Sequence, residues 1–401
     1  MRRGLFPCSL FLCSLPLAAA CGSSNAAAPA DAGPFDATTD ATTWSPVSDA
    51  GLDSDAGPGV IPRGARVLGM DINAAKDGDY VQALKVAKTA GVGVTNVNLD
   101  WDAIEVPPTD AGAPEGGAPD AGDGITYFSA YLHIANLIFP PSQVAISLAI
   151  RPIDGKKSHV PADLAGKSLK DPRVIDRFNR VQDYVFSQIP DLSLATYMVG
   201  NEVDAFLGAD DVAWQDYTAF YEAVTAHART KRMGLKVGVA AKWSSYVGTA
   251  QTALLTLNAS SDVIAVDYLP MNPDFTPRPI SSMQGDLEQI LAIFPSKPIH
   301  FRYAGFPSSP AIASSEAAQA DFVGEAFRVW DLHCERVPYF GFFTLNEYGQ
   351  QTSQDLASAL GSSDPRFKEY LRTLGLRTYE GAGADKPAFG ALIDAAHARG
   401  W

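Results

Sequence analysis

From residue 66 onward, short apolar runs alternate with longer amphipathic stretches. The runs at 66–72, 94–99, 144–150, 194–199, 236–241, 263–268, 299–303 and 339–345 are rich in aliphatic and aromatic residues, which predicts strands. Between them, apolar positions recur at helical spacing over 80–90, 128–138, 174–189, 214–232, 249–257, 283–294 and 315–334, and helices fill the C-terminus. Phe327 and Trp330 share a helical face and are expected in the core. Strand followed by helix, repeated through about 340 residues, is the pattern of an α/β TIM (β/α)8 barrel. A doubly wound open sheet would carry a glycine-rich phosphate turn after the first strand. Here that strand runs into Gly69-Met-Asp-Ile-Asn73, and there is no GxGxxG or Walker sequence.

Two segments lack this patterning. Residues 21–63 are rich in Ala, Asp, Gly, Pro, Ser and Thr, with Asp-Ala-Gly starting at Asp31, Asp49 and Asp55. So little apolar surface predicts a disordered tether. The same composition returns at 107–124, with the triplet at Asp110 and Asp120, and reads as a low-complexity insertion in a folded domain of 64–401. Neither stretch matches an EF-hand or a nonapeptide repeat, so both read as solvated spacer rather than calcium sites.

The first twenty residues have the layout of a signal peptide. Arg2 and Arg3 precede an apolar stretch from Leu5 to Leu17, and Ala18, Ala19 and Ala20 follow. The stretch is too short to span a bilayer comfortably. Leu17-Ala-Ala-Ala-Cys21 resembles a bacterial lipobox, with its apolar residue one place farther from the cysteine than in that pattern. The resemblance implies a lipid on Cys21 and a membrane partner through that anchor; the alternative is an ordinary signal peptide with Cys21 incidental. Gly22 is not the aspartate that resembles an inner-membrane retention signal, so the expected location is the outer membrane. Cys8 and Cys13 fall in the removed segment, leaving Cys334 as a thiol expected to be buried on a helix, with no internal disulfide.

Composition narrows the partners. Lys+Arg 31 against Asp+Glu 45 gives a net charge of -14, which argues against nucleic acid. The histidines His133, His159, His227, His300, His333 and His397 show no HExxH or paired spacing, and no GxSxG elbow occurs. No metal and no cofactor are expected.

In a TIM barrel the reactive groups lie at the C-terminal ends of the strands. There the sequence places Asp71 and Asn73; Asp100, Trp101, Asp102 and Glu105; Arg151 and Asp154; Asn201, Glu202 and Asp204; Lys242 and Trp243; Asp267, Tyr268 and Asn272; Arg302 and Tyr303; and Asn346, Glu347 and Tyr348. Aromatic faces stack on pyranose rings and carboxyl groups hydrogen-bond hydroxyls, so this rim suits a sugar. About half of such rim residues would be merely solvated.

The motif Met198-Val-Gly-Asn-Glu-Val-Asp204, at the end of strand four, resembles the clan of retaining glycoside hydrolases with (β/α)8 barrels. So do Asp262-Val-Ile-Ala-Val-Asp-Tyr-Leu-Pro270 in strand six and Lys297-Pro-Ile-His-Phe-Arg-Tyr-Ala-Gly-Phe-Pro-Ser-Ser309 in strand seven and its loop. The likeness is greatest to the endo-β-galactanase and β-glucanase side of that clan. It implies that Glu202 is the acid/base and that Asn201 holds the sugar 2-hydroxyl. It also implies a Thr-Glu at the end of strand seven, with the Glu as nucleophile; this chain has Arg302 and Tyr303 there.

Retaining hydrolysis needs two carboxyl groups about 5–5.5 Å apart. Three readings follow. The barrel binds a β-linked polysaccharide or oligosaccharide without cleaving it; or Glu347 or Asp267 substitutes, at a wider spacing suited to inversion; or Tyr303 is the nucleophile with Glu347 as its base. Strand alternation turns Arg302 away from the barrel interior if Tyr303 points in. Asp71, Trp101, Asp102, Arg151, Asp154, Asp204, Trp243, Asp267 and Tyr268 complete the expected ligand-binding set.

Overall fold

The computed structural model describes residues 59–106, 118–119 and 125–401. The signal peptide, Cys21, most of the tether and most of the 107–124 insertion lie outside the described residues.

The eight predicted strands form β1 Val67–Met70, β2 Val94–Asp100, β3 Ala145–Asp154, β4 Leu194–Asn201, β5 Val237–Lys242, β6 Ile264–Tyr268, β7 Ile299–Ala304 and β8 Tyr339–Phe342. Each is parallel to its neighbour, and β8 returns to β1, so the sheet closes into a barrel. Around it run α1 Tyr80–Thr89, α2 Ala130–Ser142, α3 Pro172–Gln188, α4 Asp211–Lys231, α5 Gln251–Leu257, α6 Met283–Ile293 and α7 Glu316–Leu332. This is the TIM (β/α)8 barrel. Helix starts are set by local chemistry. Asp79, Asp171, Asp210 and Ser315 each accept a backbone N–H from the first turn that would otherwise lack a partner.

The two faces of each strand divide the labour. Val97 and Leu99 of β2, Ile146, Leu148 and Ile150 of β3, and Tyr197 and Val199 of β4 join Phe178 of α3 and Tyr217 and Phe220 of α4 in one continuous outer core. The alternate positions face the lumen. Deep inside, Ala149, Met198, Ala240 and Ala265 form a small apolar plug with Val263. Nearer the C-terminal ends the lumen residues turn polar. Phe327 and Trp330 lie in the outer core, as their spacing predicts.

At the N-terminal face an ion cluster closes the barrel. Asp331 pairs with Arg66 at 2.7 Å and with Arg399 at 2.6 Å. The Arg66 guanidinium lies 5.0 Å over the Trp330 ring and 5.3 Å from that of Trp401. Arg66 also bonds the carbonyl of Ile61 at 2.6 Å, and the Arg63 N–H bonds the carbonyl of Arg399 at 2.8 Å. The folded part therefore begins a few residues before 64, because this cluster captures the end of the segment expected to be tether.

The insertion contributes structure too. Glu105–Val106, Ala118–Pro119 and Thr126–Tyr127 form a small antiparallel sheet. Cys334 is half-buried in the turn after α7, not within the helix. After β8, α8 Gln350–Ala359, α9 Pro365–Arg372 and α10 Pro387–His397 complete the chain. Ala357, Phe367, Tyr370, Leu371 and Leu374 pack with Leu269, Phe275, Ile312 and Phe343, so α8 and α9 cap part of the C-terminal face.

Candidate active site

The C-terminal mouth gathers polar side chains from every part of the barrel wall. Asp100 of β2 accepts from Arg151 of β3 at 2.6 Å, and Arg151 reaches Asp154 at 2.7 Å. Asp154 accepts the Asn201 amide N–H at 2.8 Å. The Asn201 amide oxygen accepts from Arg302, which also bonds Asn98. Asn98 donates to the Tyr303 hydroxyl at 2.8 Å. One hydrogen-bond chain thus crosses the lumen from β2 to β7 and back. His159 holds Asp102 at 2.9 Å and lies 3.5 Å from Asp100. Its hydrogen bond lowers the Asp102 pKa despite the opposing desolvation. Asp100, Asp154 and His159 converge as a cation could require, but the Arg151 guanidinium already bridges both carboxylates.

Arg302 corrects the expectation that it faces outward. Relative to β6, the register jumps from Val266–Phe301 to Asp267–Tyr303. Relative to β8 it jumps from Phe301–Phe340 to Ala304–Phe342. This β-bulge breaks the alternation, so Arg302 and Tyr303 both enter the lumen, with the guanidinium 4.6 Å from the Tyr303 ring. The facing residue is Gly341, where a Cβ would stand 2.6 Å from the Arg302 carbonyl oxygen. Gly341 and its register partner Gly69 also make room for Tyr339, which fills the lumen across them.

Glu202 follows Gly200, and both hold left-handed backbone, at φ 45° and 79°. A Cβ on Gly200 would meet Val203 and the Tyr217 hydroxyl at 2.7 Å, so only glycine fits there. Glu202 pays for that turn with strain of order 1 kcal/mol, and the turn swings its carboxyl into the mouth. Its Oε2 lies 3.0 Å from Lys242 Nζ. Burial raises the Glu202 pKa; Lys242 opposes the rise, and Asp204 and Asp154 add to it. Asp204 accepts from Ser245 Oγ at 2.6 Å and is likewise raised by burial.

Asp267 stands beside Lys242 in register and is 4% exposed. Neither of its carboxyl oxygens has a hydrogen-bond partner among the described residues. Burial drives its pKa well above the carboxylate range; Arg302 opposes this, and Glu202 and Asp204 reinforce it. Desolvation raises the pKa of Asp71 to about 7 against the pull of Arg302 and Arg151.

Several expected ligand contacts are elsewhere. Trp101 is fully buried, donates to Glu105 at 2.6 Å and packs edge-on against Phe178. Tyr268 alternates outward from Asp267, stacks on Phe322 and donates to Asp286 at 2.8 Å. Trp243 gives its N–H to the Asp286 carbonyl, and Arg278 lies 4.5 Å from its ring. Glu347 is tied to Lys386 at 3.0 Å, with Arg372 at 4.0 Å, both from the C-terminal segment. Lys242, Asn98 and Arg302 are the main groups missing from the expected set. The alternation Asn96, Asn98, Asp100 against Val97 and Leu99 was a readable lumen signal; the bulge was not.

No protein-family model matches the sequence, and a search of curated proteins finds no match. Solved structures do match. An exo-β-1,4-mannosidase, Op5Man5 from Opitutaceae bacterium strain TAV5, aligns with a TM-score of 0.59 at 13% identity, over 83% of this chain and 59% of that one. GH5_18 of Streptomyces cattleya, solved in complex with GlcNAc, aligns with a TM-score of 0.57 at 15% identity, over 83% of this chain and 80% of that one. The family 39 glycoside hydrolase from the gut symbiont Bacteroides cellulosilyticus WH2 gives 0.54 at 14%, over 84% of this chain and 64% of that one. The fold is that of the (β/α)8 glycoside hydrolases. The chain spans under two thirds of the family 39 enzyme's length.

Proposed function

We propose that this glycoside-hydrolase-like barrel binds a β-linked oligosaccharide or polysaccharide at its C-terminal mouth and does not hydrolyse it. The observation that carries this reading is the β7 bulge. It supports the reading because it turns both Arg302 and Tyr303 into the lumen at the end of the strand for which the resemblance implies a nucleophilic carboxylate, and because Arg302 donates to the Asn201 amide oxygen while one amide N–H goes to Asp154. The amide that would hold a sugar 2-hydroxyl is already engaged on both its nitrogen and its oxygen within the protein, which leaves one N–H and one acceptor site for a ligand.

The two hydrolytic alternatives are weaker on the same grounds. Burial raises the Asp267 pKa well above the usual carboxylate value, which disfavours the ionised form a nucleophile or base needs. Glu347 is ion-paired with Lys386, which opposes its taking a proton from Tyr303. Burial also raises the Tyr303 pKa, holding its hydroxyl protonated. We further read the chain as a lipoprotein of the cell envelope, carried on Cys21 and held at the outer membrane, facing the periplasm or the cell exterior; the lipobox-like sequence supports the anchor.

Affinity electrophoresis of the soluble form in gels containing β-galactan, β-glucan or mannan tests the binding. Retardation by one polymer, abolished in Glu202→Gln, is expected. Unchanged mobility in all three gels would refute binding to that class.

A further inference from the structure

The carboxyl groups of the mouth outnumber its cations. Asp71, Asp100, Asp154, Glu202, Asp204 and Asp267 face Arg151, Lys242 and Arg302. Arg151 serves Asp100 and Asp154, and Arg302 donates to the two amides. Around Lys242 the imbalance is local: its ammonium pairs with Glu202, while Asp204 and Asp267 lie in its field, and Arg302 is the other cation acting on Asp267. Ser245 satisfies one oxygen of Asp204, and among the described residues neither its Oδ1 nor either oxygen of Asp267, which is 4% exposed, has a hydrogen-bond partner. A buried carboxyl without a donor is costly, and such groups persist where a ligand supplies the donor. Lys242 is the accessible member of the group, with a side chain 35% exposed, while that of Glu202 is 9% exposed. It is a flexible stem whose ammonium rests on Glu202 and can swing toward solvent.

We propose that the glycan bound at this mouth carries a free primary amine, as a de-N-acetylated hexosamine does, and that its ammonium takes the place of the Lys242 ammonium among Glu202, Asp204 and Asp267. The inference rests on the reading of the mouth as a glycan site and specifies the sugar. An ammonium offers three donors to carboxyl acceptors that lack them. A neutral hydroxyl offers one and leaves the charge excess in place. A uronic acid adds a further negative charge to an acidic mouth. An inorganic divalent cation is a poorer fit than an ammonium, because Lys242 and Arg302 flank the same carboxyls.

The test is isothermal titration of the folded protein with tetrasaccharides of β-1,4-glucosamine, of its N-acetylated form and of glucose, and with calcium chloride alone. The amine is expected to bind at least about tenfold more tightly than either neutral tetrasaccharide. Asp267→Asn should remove that preference, bringing the amine and the neutral tetrasaccharides to within about twofold of one another. Lys242→Met should keep or increase it, since the variant removes only the competing ammonium. Neutral sugars binding as tightly as the amine would overturn the proposal and leave the glycan reading standing. Loss of amine binding in Lys242→Met would overturn it too, by making Lys242 the recognising group. Calcium competing away the amine at equal concentration would assign the carboxyls to a metal. No binding of any sugar would sink the glycan reading itself.

Discussion

Asp331 and Asp267 are equally buried, at 5% and 4% exposure, at opposite ends of the same barrel. Asp331 has more partners than it needs: Arg66 and Arg399 hold it, and their guanidinium groups lie against Trp330, Trp401 and Phe327. Asp267 has no hydrogen-bond partner among the described residues. Identical burial thus yields a tie at the N-terminal face and an unsatisfied group at the C-terminal face. In TIM barrels the bottom face serves stability and the top serves chemistry. The contrast also separates Asp267 from acids of the mouth held in ordinary ion pairs, such as Asp100 and Asp154 with Arg151.

The largest effect should come from the satisfied end. Asp331→Ala leaves Arg66 and Arg399 buried without their counter-charge and should cost about 3–5 kcal/mol, read as a fall in the chemical-denaturation midpoint. Arg302→Met strips donors from Asn201 and Asn98 and should cost about 2–3 kcal/mol. Asp267→Asn should cost nothing and add about 1–2 kcal/mol at pH 8, because it removes a buried acid that resists ionisation. A loss of stability in Asp267→Asn comparable with that of Asp331→Ala would erase the comparison.

The smallest effect concerns Asp71. Its folded pKa of about 7 exceeds the ordinary 3.8, so the folded state holds its proton more tightly than the unfolded state. Stability therefore falls as pH rises between those values, and the cost is full above about pH 7. Asp71→Asn should match the parent below pH 4 and exceed it by about 1 kcal/mol at pH 8 in thermal melts, after allowance for solvent at the mouth. An Asp71→Asn advantage at low pH that vanishes at high pH would reverse the sign and refute the assignment.

The barrel was legible in the sequence because strand and helix periods differ and each recurs through the chain. β2 and α6 fall within about one residue of their expected limits at 94–99 and 283–294. The site was legible only where position along a strand decides it. Asn201, Glu202 and Asp204 at the end of β4 gather at the mouth because the Gly200 turn aims them there. Trp101 and Tyr268 failed as rim residues for a physical reason. One begins a helical turn directed into the α3 layer, and the other takes the outward phase of β6. Arg302 was misplaced because a bulge inserts one residue without any mark in the hydrophobic pattern. Nothing in a single sequence shows that Gly341 is the residue permitting it.

The central claim is that the mouth holds a glycan and leaves it whole. The direct measurement is release of new reducing ends from the polysaccharide that retards the protein, over a day at pH 5 and pH 7, for the unmodified chain, Glu202→Gln and Tyr303→Glu. No release above buffer is expected from the unmodified chain and from Glu202→Gln, with any activity confined to Tyr303→Glu. Release by the unmodified chain that disappears in Glu202→Gln would contradict it.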